Sequence, residues 1–292
     1  MSLPAAATFV RLEHPLRSDE LNSGDAMKIP LLFAIAVSLL AAAMWTRDSR
    51  PASDTRIPVL VELFTSEGCS SCPPADAFLQ KLDRQPVAGE EMVVLSEHVD
   101  YWNHVGWKDP YSARLYSDRQ STYARCLGLE SVYTPQMVVD GTSEFVGSDE
   151  ALAGRAFVKA LQSPKVAVRL SAVSVGGANV LHAHLEAGAL QASFGLGEAD
   201  VYVAVALNRA ESQVSHGENA GRTLAHTAVA QSIVKVGTFR QGQAFAQDIQ
   251  MKLEPGLDTG NLRLVAFVQE PGQGRVIGAA AQTIDGSMAK AN

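Results

Sequence analysis

The stretch Val59-Leu60-Val61-Glu62-Leu63-Phe64 runs through Thr65-Ser66-Glu67-Gly68 into Cys69-Ser70-Ser71-Cys72-Pro73, and a helix-like segment, Ala75 to Leu82, follows. The apolar run has the length and boundaries of a buried strand. A strand that ends in Cys-x-x-Cys opening a helix is the arrangement of a thioredoxin-like redox site. Cysteines three apart on a first helical turn stand side by side, so they can close a disulfide or present two thiols. The unpaired amides and positive dipole end of the helix stabilise a thiolate there. Cys69, at the exposed helix start, is the expected nucleophile, and Cys72, one turn in, the expected resolving thiol. Pro73 and Pro74 suit the first turn, where a missing N–H costs least. Ser70 and Ser71 bring hydroxyls and amides that can donate to a thiolate. Neither carries charge, so the dipeptide does not set the pair on the oxidising or the reducing side.

Outward from this motif, strands and helices alternate from Ile57 to Ser163. Pro58–Thr65 reads as a strand, Pro74–Leu82 as a helix and Met92–Leu95 as a second buried strand. Asp109–Leu127 reads as a longer helix, with Pro110 in its first turn and Gly128 just past its end. Gln136–Val139 and Glu144–Val146 flank Asp140-Gly141, a hairpin signal. Ser148 or Asp149 can cap a last helix running to Leu161, stopped by Pro164. The order β-α-β-α-β-β-α predicts an α/β thioredoxin-like domain over residues 57–163. From Lys165 the texture changes to short alternating strands and Gly-rich turns, with Val166, Val168 and Leu170, then Leu181, Ala183 and Leu185, then Val201 to Leu207 and Leu262 to Val268. About seven such strands predict an all-β sandwich-like domain over residues 165–286.

Residues 1–56 read as an N-terminal extension, a signal peptide or membrane anchor, and a linker. Ile29–Trp45 is an uncharged apolar run behind Met27-Lys28, and Ala41-Ala42-Ala43 supplies a small-residue cleavage pattern. The run is also at the short limit for a membrane span, so a retained inner-membrane anchor is the alternative to cleavage. Residues 1–26 carry scattered charges and no apolar period, which fits translation starting at Met27. The expected location is therefore periplasmic or secreted.

Thr134-Pro135 is the second element of the site. It precedes the strand Gln136–Val139, where a cis proline would expose the backbone of Thr134 for strand-like pairing with a substrate. Glu62, on the strand feeding the cysteine loop, is a candidate buried acid for proton transfer from Cys72; a structural role is the alternative. His98, Asp100, Tyr101, Trp102, His104 and Trp107 form an aromatic and polar loop after the second strand. Of these, His98 and Trp102 are candidates for a substrate wall beside Cys69, against self-packing around the tryptophans.

Val61-Glu62-Leu63-Phe64-Thr65-Ser66-Glu67-Gly68-Cys69-Ser70-Ser71-Cys72-Pro73-Pro74-Ala75-Asp76 resembles the bacterial secreted family catalogued as domain of unknown function 1223. So do His98-Val99-Asp100-Tyr101-Trp102-Asn103, Gly106-Trp107-Lys108-Asp109-Pro110 and Ser131-Val132-Tyr133-Thr134-Pro135-Gln136. Gly217-Glu218-Asn219-Ala220-Gly221-Arg222-Thr223-Leu224 extends the resemblance into the second half, so that it covers about residues 57–285. It implies a thioredoxin-like fold with a C-terminal β domain and leaves the substrate open.

The remaining residues carry competing readings. Cys126 reads as a small buried hydrophobe, or as a further resolving thiol. Cys69, Cys72 and Cys126 with His98 or His104 are a weak zinc pattern, because no second ligand pair accompanies the Cys-x-x-Cys. His182 and His184 share one face of a strand, on the solvent side or, with His216 and His226, at a metal. Asn219 and Arg222 read as turn formers, with a contact across the domains or to a ligand as the alternative. Three cysteines are too few for a disulfide scaffold. A formal charge of −7 without basic runs excludes nucleic acid as the main partner. The expectation is an exported thiol–disulfide oxidoreductase acting on a protein or small-molecule thiol or disulfide, needing a redox partner but no cofactor or metal. The alternatives are a binding protein with a structural Cys69–Cys72 disulfide and a thiol metal-binding module.

Overall fold

Residues 56–85 and 89–284 are described in the computed structural model; the expected signal or anchor segment and the proposed start at Met27 lie outside them. The chain runs β1 (Ile57–Thr65), α1 (Pro73–Arg84), β2 (Glu90–His98), α2 (Arg114–Leu127), β3 (Gln136–Val139), β4 (Ser143–Val146) and α3 (Glu150–Leu161). It continues through β5 (Val168–Gly176), β6 (Val180–Ala187), β7 (Glu198–Gln213), β8 (Thr223–Arg240), β9 (Phe245–Lys252), β10 (Leu262–Gln269) and β11 (Val276–Thr283).

The expected fold class, an α/β thioredoxin-like domain followed by an all-β sandwich-like domain, is corrected by the sheet order. Eight strands form one mixed sheet, β11-β10-β7-β8-β2-β1-β3-β4. The strands of the second half thus continue the sheet begun by the first, joined where Ser96 of β2 runs parallel to Val229 of β8. A second sheet, β5-β6-β9, has three strands. The physical reason lies in the burial of β1 and β2. Strands apolar on both faces need cover on both, and here the far half supplies part of it.

Along β1, side chains alternate between two cores. Val59, Val61 and Leu63 pack with Ala75, Phe78 and Leu79 of α1 and with Ala156 and Phe157 of α3. Leu60 faces the other way, into a core holding Tyr116 of α2 together with Ala206, Ala230, Val265 and Phe267. The Tyr116 hydroxyl donates to the Ala230 carbonyl at 2.7 Å, tying α2 to β8. A third core joins the small sheet to the large one, through Leu181 and Leu185 on one side and Val203 and Leu264 on the other.

Most local elements of the first half sit where the sequence puts them. Asp149 caps α3, its carboxylate accepting from the amides of Ala151 and Leu152. Gly128 closes α2 in the left-handed region, φ 72°. Asp140 and Gly141 both take positive φ, as the tight β3–β4 hairpin requires. Two elements differ most in extent. The strand read over Met92–Leu95 runs Glu90–His98. The helix expected from Asp109 begins at Arg114, because the Asp109 carboxylate is engaged by the amides of Glu67 and Tyr111.

Candidate redox site

β1 ends at Thr65 and the chain turns through Ser66–Cys72 before α1 begins with Pro73 and Pro74. The turn is fixed by backbone bonds from Cys69 N to Ser66 O (3.1 Å) and from Cys72 N to Cys69 O (3.2 Å). Cys69 and Cys72 are joined by a disulfide, with their Cα atoms 5.5 Å apart. Ser70 and Ser71 between them are exposed. Both cysteines have zero exposed surface, which corrects the expectation of an open Cys69. The Ser71 hydroxyl lies 3.3 Å from Cys69 Sγ.

The Thr134–Pro135 peptide bond is cis, as expected. Trp102 connects it to the cysteine loop. Its indole N–H donates to Thr134 Oγ1 at 2.8 Å, and its Cβ and carbonyl press on Gly68, where an added Cβ would meet them at 3.1 and 3.3 Å. Pro135 reaches the start of α1 around Gly147, where an added Cβ would lie 3.0 Å from Ala75 and 3.4 Å from Pro135. Trp102 thus touches both Gly68, next to Cys69, and Thr134.

His98 and Glu62 do not join this surface. His98 is fully buried, its Nδ1 2.7 Å from Asp109 Oδ2. Its ring packs edge-on against His226, with centroids 4.6 Å apart. Glu62 lies on the face of β1 turned away from α1. Its carboxylate accepts from Arg119 Nε at 2.7 Å and from the Tyr123 hydroxyl at 2.5 Å.

A buried charged group under the cysteine loop escaped the sequence reading. Glu67, two residues before Cys69, accepts from the Trp107 indole at 2.7 Å. Asp76 lies four residues past Cys72, so the two share a face of α1. His226 of β8 stands between them, with Nε2 3.4 Å from Glu67 Oε1 and Nδ1 3.6 Å from Asp76 Oδ1. These are ion-pair contacts lacking hydrogen-bond geometry, and Glu67 Oε1, Asp76 Oδ1 and both His226 nitrogens have no hydrogen-bond partner. Burial disfavours the imidazolium, but the Asp76 and Glu67 carboxylates outweigh it and push His226 up to about 10. Burial likewise raises Asp109, and the charge and hydrogen bond of His98 more than offset it, leaving Asp109 below its ordinary value. The available signal was Glu67 and Asp76 flanking the Cys-x-x-Cys. Nothing local in the sequence placed His226 beside them.

The far half contributes three more hydrogen bonds, from two residues. Asn219 Nδ2 donates to the carbonyls of Glu67 (2.9 Å) and Cys69 (3.0 Å). Glu218 accepts from the Ser70 amide at 3.1 Å, and hydrogen bonds from Ser70 hold it below the usual carboxylate range. Cys126 is exposed rather than a buried hydrophobe, and its thiol donates to the Gly272 carbonyl at 3.1 Å. His184 pairs with Asp248 at 2.7 Å. Among the described residues, no group of three or more His, Cys, Asp or Glu is arranged to hold a metal ion. Nor is any of their helices long and apolar enough to cross a membrane.

The family model described as "Protein of unknown function (DUF1223)" matches residues 60–269. No curated protein matches the chain. Among solved structures, the chain is similar to protein AGR_C_4864 from Agrobacterium tumefaciens, with 26% identity and a TM-score of 0.61, over 81% of this chain and 99% of that one. It is also similar to HBP35 of Porphyromonas gingivalis, with 16% identity and a TM-score of 0.60, over 81% of this chain and 78% of that one. The second likeness is one of fold alone.

Proposed function

For this chain, which belongs to the DUF1223 family, we propose a thiol–disulfide oxidoreductase whose redox centre is the Cys69–Cys72 pair. The observation that carries the reading is the disulfide closed at the start of α1, in a loop packed on Trp102, which in turn bonds Thr134 before the cis Pro135. A substrate thiolate attacks Cys69 Sγ, forming a mixed disulfide and breaking the Cys69–Cys72 bond, with Cys72 leaving as the thiolate. A second substrate thiolate then attacks the mixed disulfide and expels Cys69. The substrate leaves oxidised, and the pair keeps two electrons and takes up two protons as a dithiol. Run backwards, the same steps reduce a substrate disulfide. Ser70 and Ser71 supply uncharged donors at the helix start. The apolar run at residues 29–45 supports placing the chain outside the cytoplasm, where disulfides persist.

The burial of both sulfurs favours a second reading, a structural disulfide in a binding protein. One experiment separates the two. Cys72→Ser leaves Cys69 unable to resolve, so a catalyst accumulates a mixed disulfide with its partner in native cells, recoverable by non-reducing electrophoresis. A Cys69 thiol that titrates near the free value of about 8.5, with no trapped species, rejects catalysis.

A further inference from the structure

We propose that the β7–β8 loop Val214–Arg222 is a strap that closes the Cys69–Cys72 disulfide to external thiols, with Asn219 and Glu218 as the residues that hold it down. The inference rests on the redox reading above and adds what controls access to that site. The strap is closed at its base by hydrogen bonds from Val214 N to Arg222 O (3.0 Å) and from Gly221 N to Val214 O (2.7 Å). Between residues 215 and 222 only Asn219 is buried. Its amide group donates to Glu67 O and Cys69 O, and its Oδ1 accepts from Arg222 Nη1 at 3.0 Å. The exposed Glu218 adds the contact to the Ser70 amide. Gly217, at φ 77°, rests on the Trp107 loop, where an added Cβ would lie 3.2 Å from Trp107 Cβ and from Val105 O. Glycine is needed there on both counts.

Disulfide exchange requires a thiolate to reach a sulfur, and neither sulfur has exposed surface. Something beside the cysteine loop therefore moves before exchange. Trp102 is tied to Thr134, next to the core strand β3. The strap is the end of a hairpin whose side-chain grip on the cysteine loop is Asn219 and Glu218. Segments with few buried apolar contacts open at the lowest free-energy cost, so the strap is the element that gives way.

The test follows reduction of the oxidised full chain by dithiothreitol, which supplies two electrons and two protons and leaves as its cyclic disulfide. Cys126 is blocked beforehand, and alkylation of Cys69 and Cys72 is read over time. Asn219→Ala removes the donor to two carbonyls and is expected to raise the reduction rate roughly tenfold or more, with amide-exchange protection lost at 214–222 and kept in β1 and α1. Glu218→Ala is expected to raise the rate by a smaller factor. Should Asn219→Ala not fold, Glu218→Ala decides alone, because its side chain is on the surface. Rates equal to wild type in the folded variants overturn the strap. Dithiothreitol reduces the bond whether or not the protein is a catalyst, so a failed Cys72→Ser trap sinks the redox reading and leaves the strap standing. Equal reduction rates do the reverse.

Discussion

Two of the charged groups buried among the described residues, those around Arg119 and around His226, are finished to different degrees. Around Arg119 the network is closed except at Glu97, whose two buried oxygens lack a hydrogen-bond partner. Its guanidinium donates to Glu62 and to the Tyr123 hydroxyl, and Gln269 of β10 donates to the same hydroxyl at 2.9 Å. The rings of Tyr123 and Phe267 flank the cation at 5.1 and 5.2 Å. Glu97 lies 3.6 Å from Arg119 as a second carboxylate; burial and the neighbouring Glu62 push it well above the usual range. Around His226 the contacts are looser, and polar atoms of four side chains, Glu67, Asp76, His98 and His226, lack hydrogen bonds. A buried polar atom without a partner is costly and uncommon. The closed network holds α2 and the far half of the sheet together. The open one lies where the cysteine loop meets β8, and sites of chemistry are where such unmet capacity is tolerated.

Removing the cation from the closed network gives the largest expected effect. Arg119→Met leaves Glu62 buried without its partner, which is expected to cost about 3–5 kcal/mol in urea unfolding. A loss below about 1 kcal/mol would show that the network does not hold the sheet. The open group is tested by pH. His226 binds its proton more tightly folded, at about 10, than unfolded, near about 6.5. Its stabilisation is fully present below the unfolded value and is lost as pH rises through the folded one. Stability is therefore expected to fall between roughly pH 6.5 and 10, by at most about 1.4 kcal/mol per pH unit from this group. His226→Gln should remove that component of the slope. Glu97 also loses stabilisation as pH rises, but equally in both proteins, so the difference isolates His226. Identical slopes would mean that Glu67 and Asp76 do not hold an imidazolium.

What was legible in the sequence follows the range of the interactions. The strand, the Cys-x-x-Cys and the capped helices are set by neighbours within a few residues, and β1, α1 and α3 appear close to where apolar period, Pro73 and Asp149 put them. The alternation in Val201–Leu207 showed a strand with one face to a core. It held no information on which edge β8 would join, because the Ser96–Val229 pairing is long-range. The same limit hid the site. Trp102 and Thr134 were expected near the cysteines from the element order of the first half, whereas His226, Glu218 and Asn219 reach the cysteine loop only through that pairing of the two halves. His98 shows the same limit. It was expected in a loop after the second strand, but it is the last residue of β2, and its burial is set by Asp109 and by the ring of His226.

The smallest effect belongs to a pair that looks stronger than the His226 group in distance alone. Lys81 Nζ of α1 lies 2.9 Å from Glu150 Oε2 of α3, closer than His226 stands to either of its carboxylates. Both side chains are at least half exposed. Water already solvates each charge, and holding two long side chains in one geometry costs entropy, so distance does not convert into stability there. A double-mutant cycle with Lys81→Ala and Glu150→Ala is expected to give a coupling of about 0.2–1 kcal/mol that shrinks with added salt. A coupling as large as the Arg119 loss, insensitive to salt, would break the comparison, because burial would then not be what separates the three charge groups.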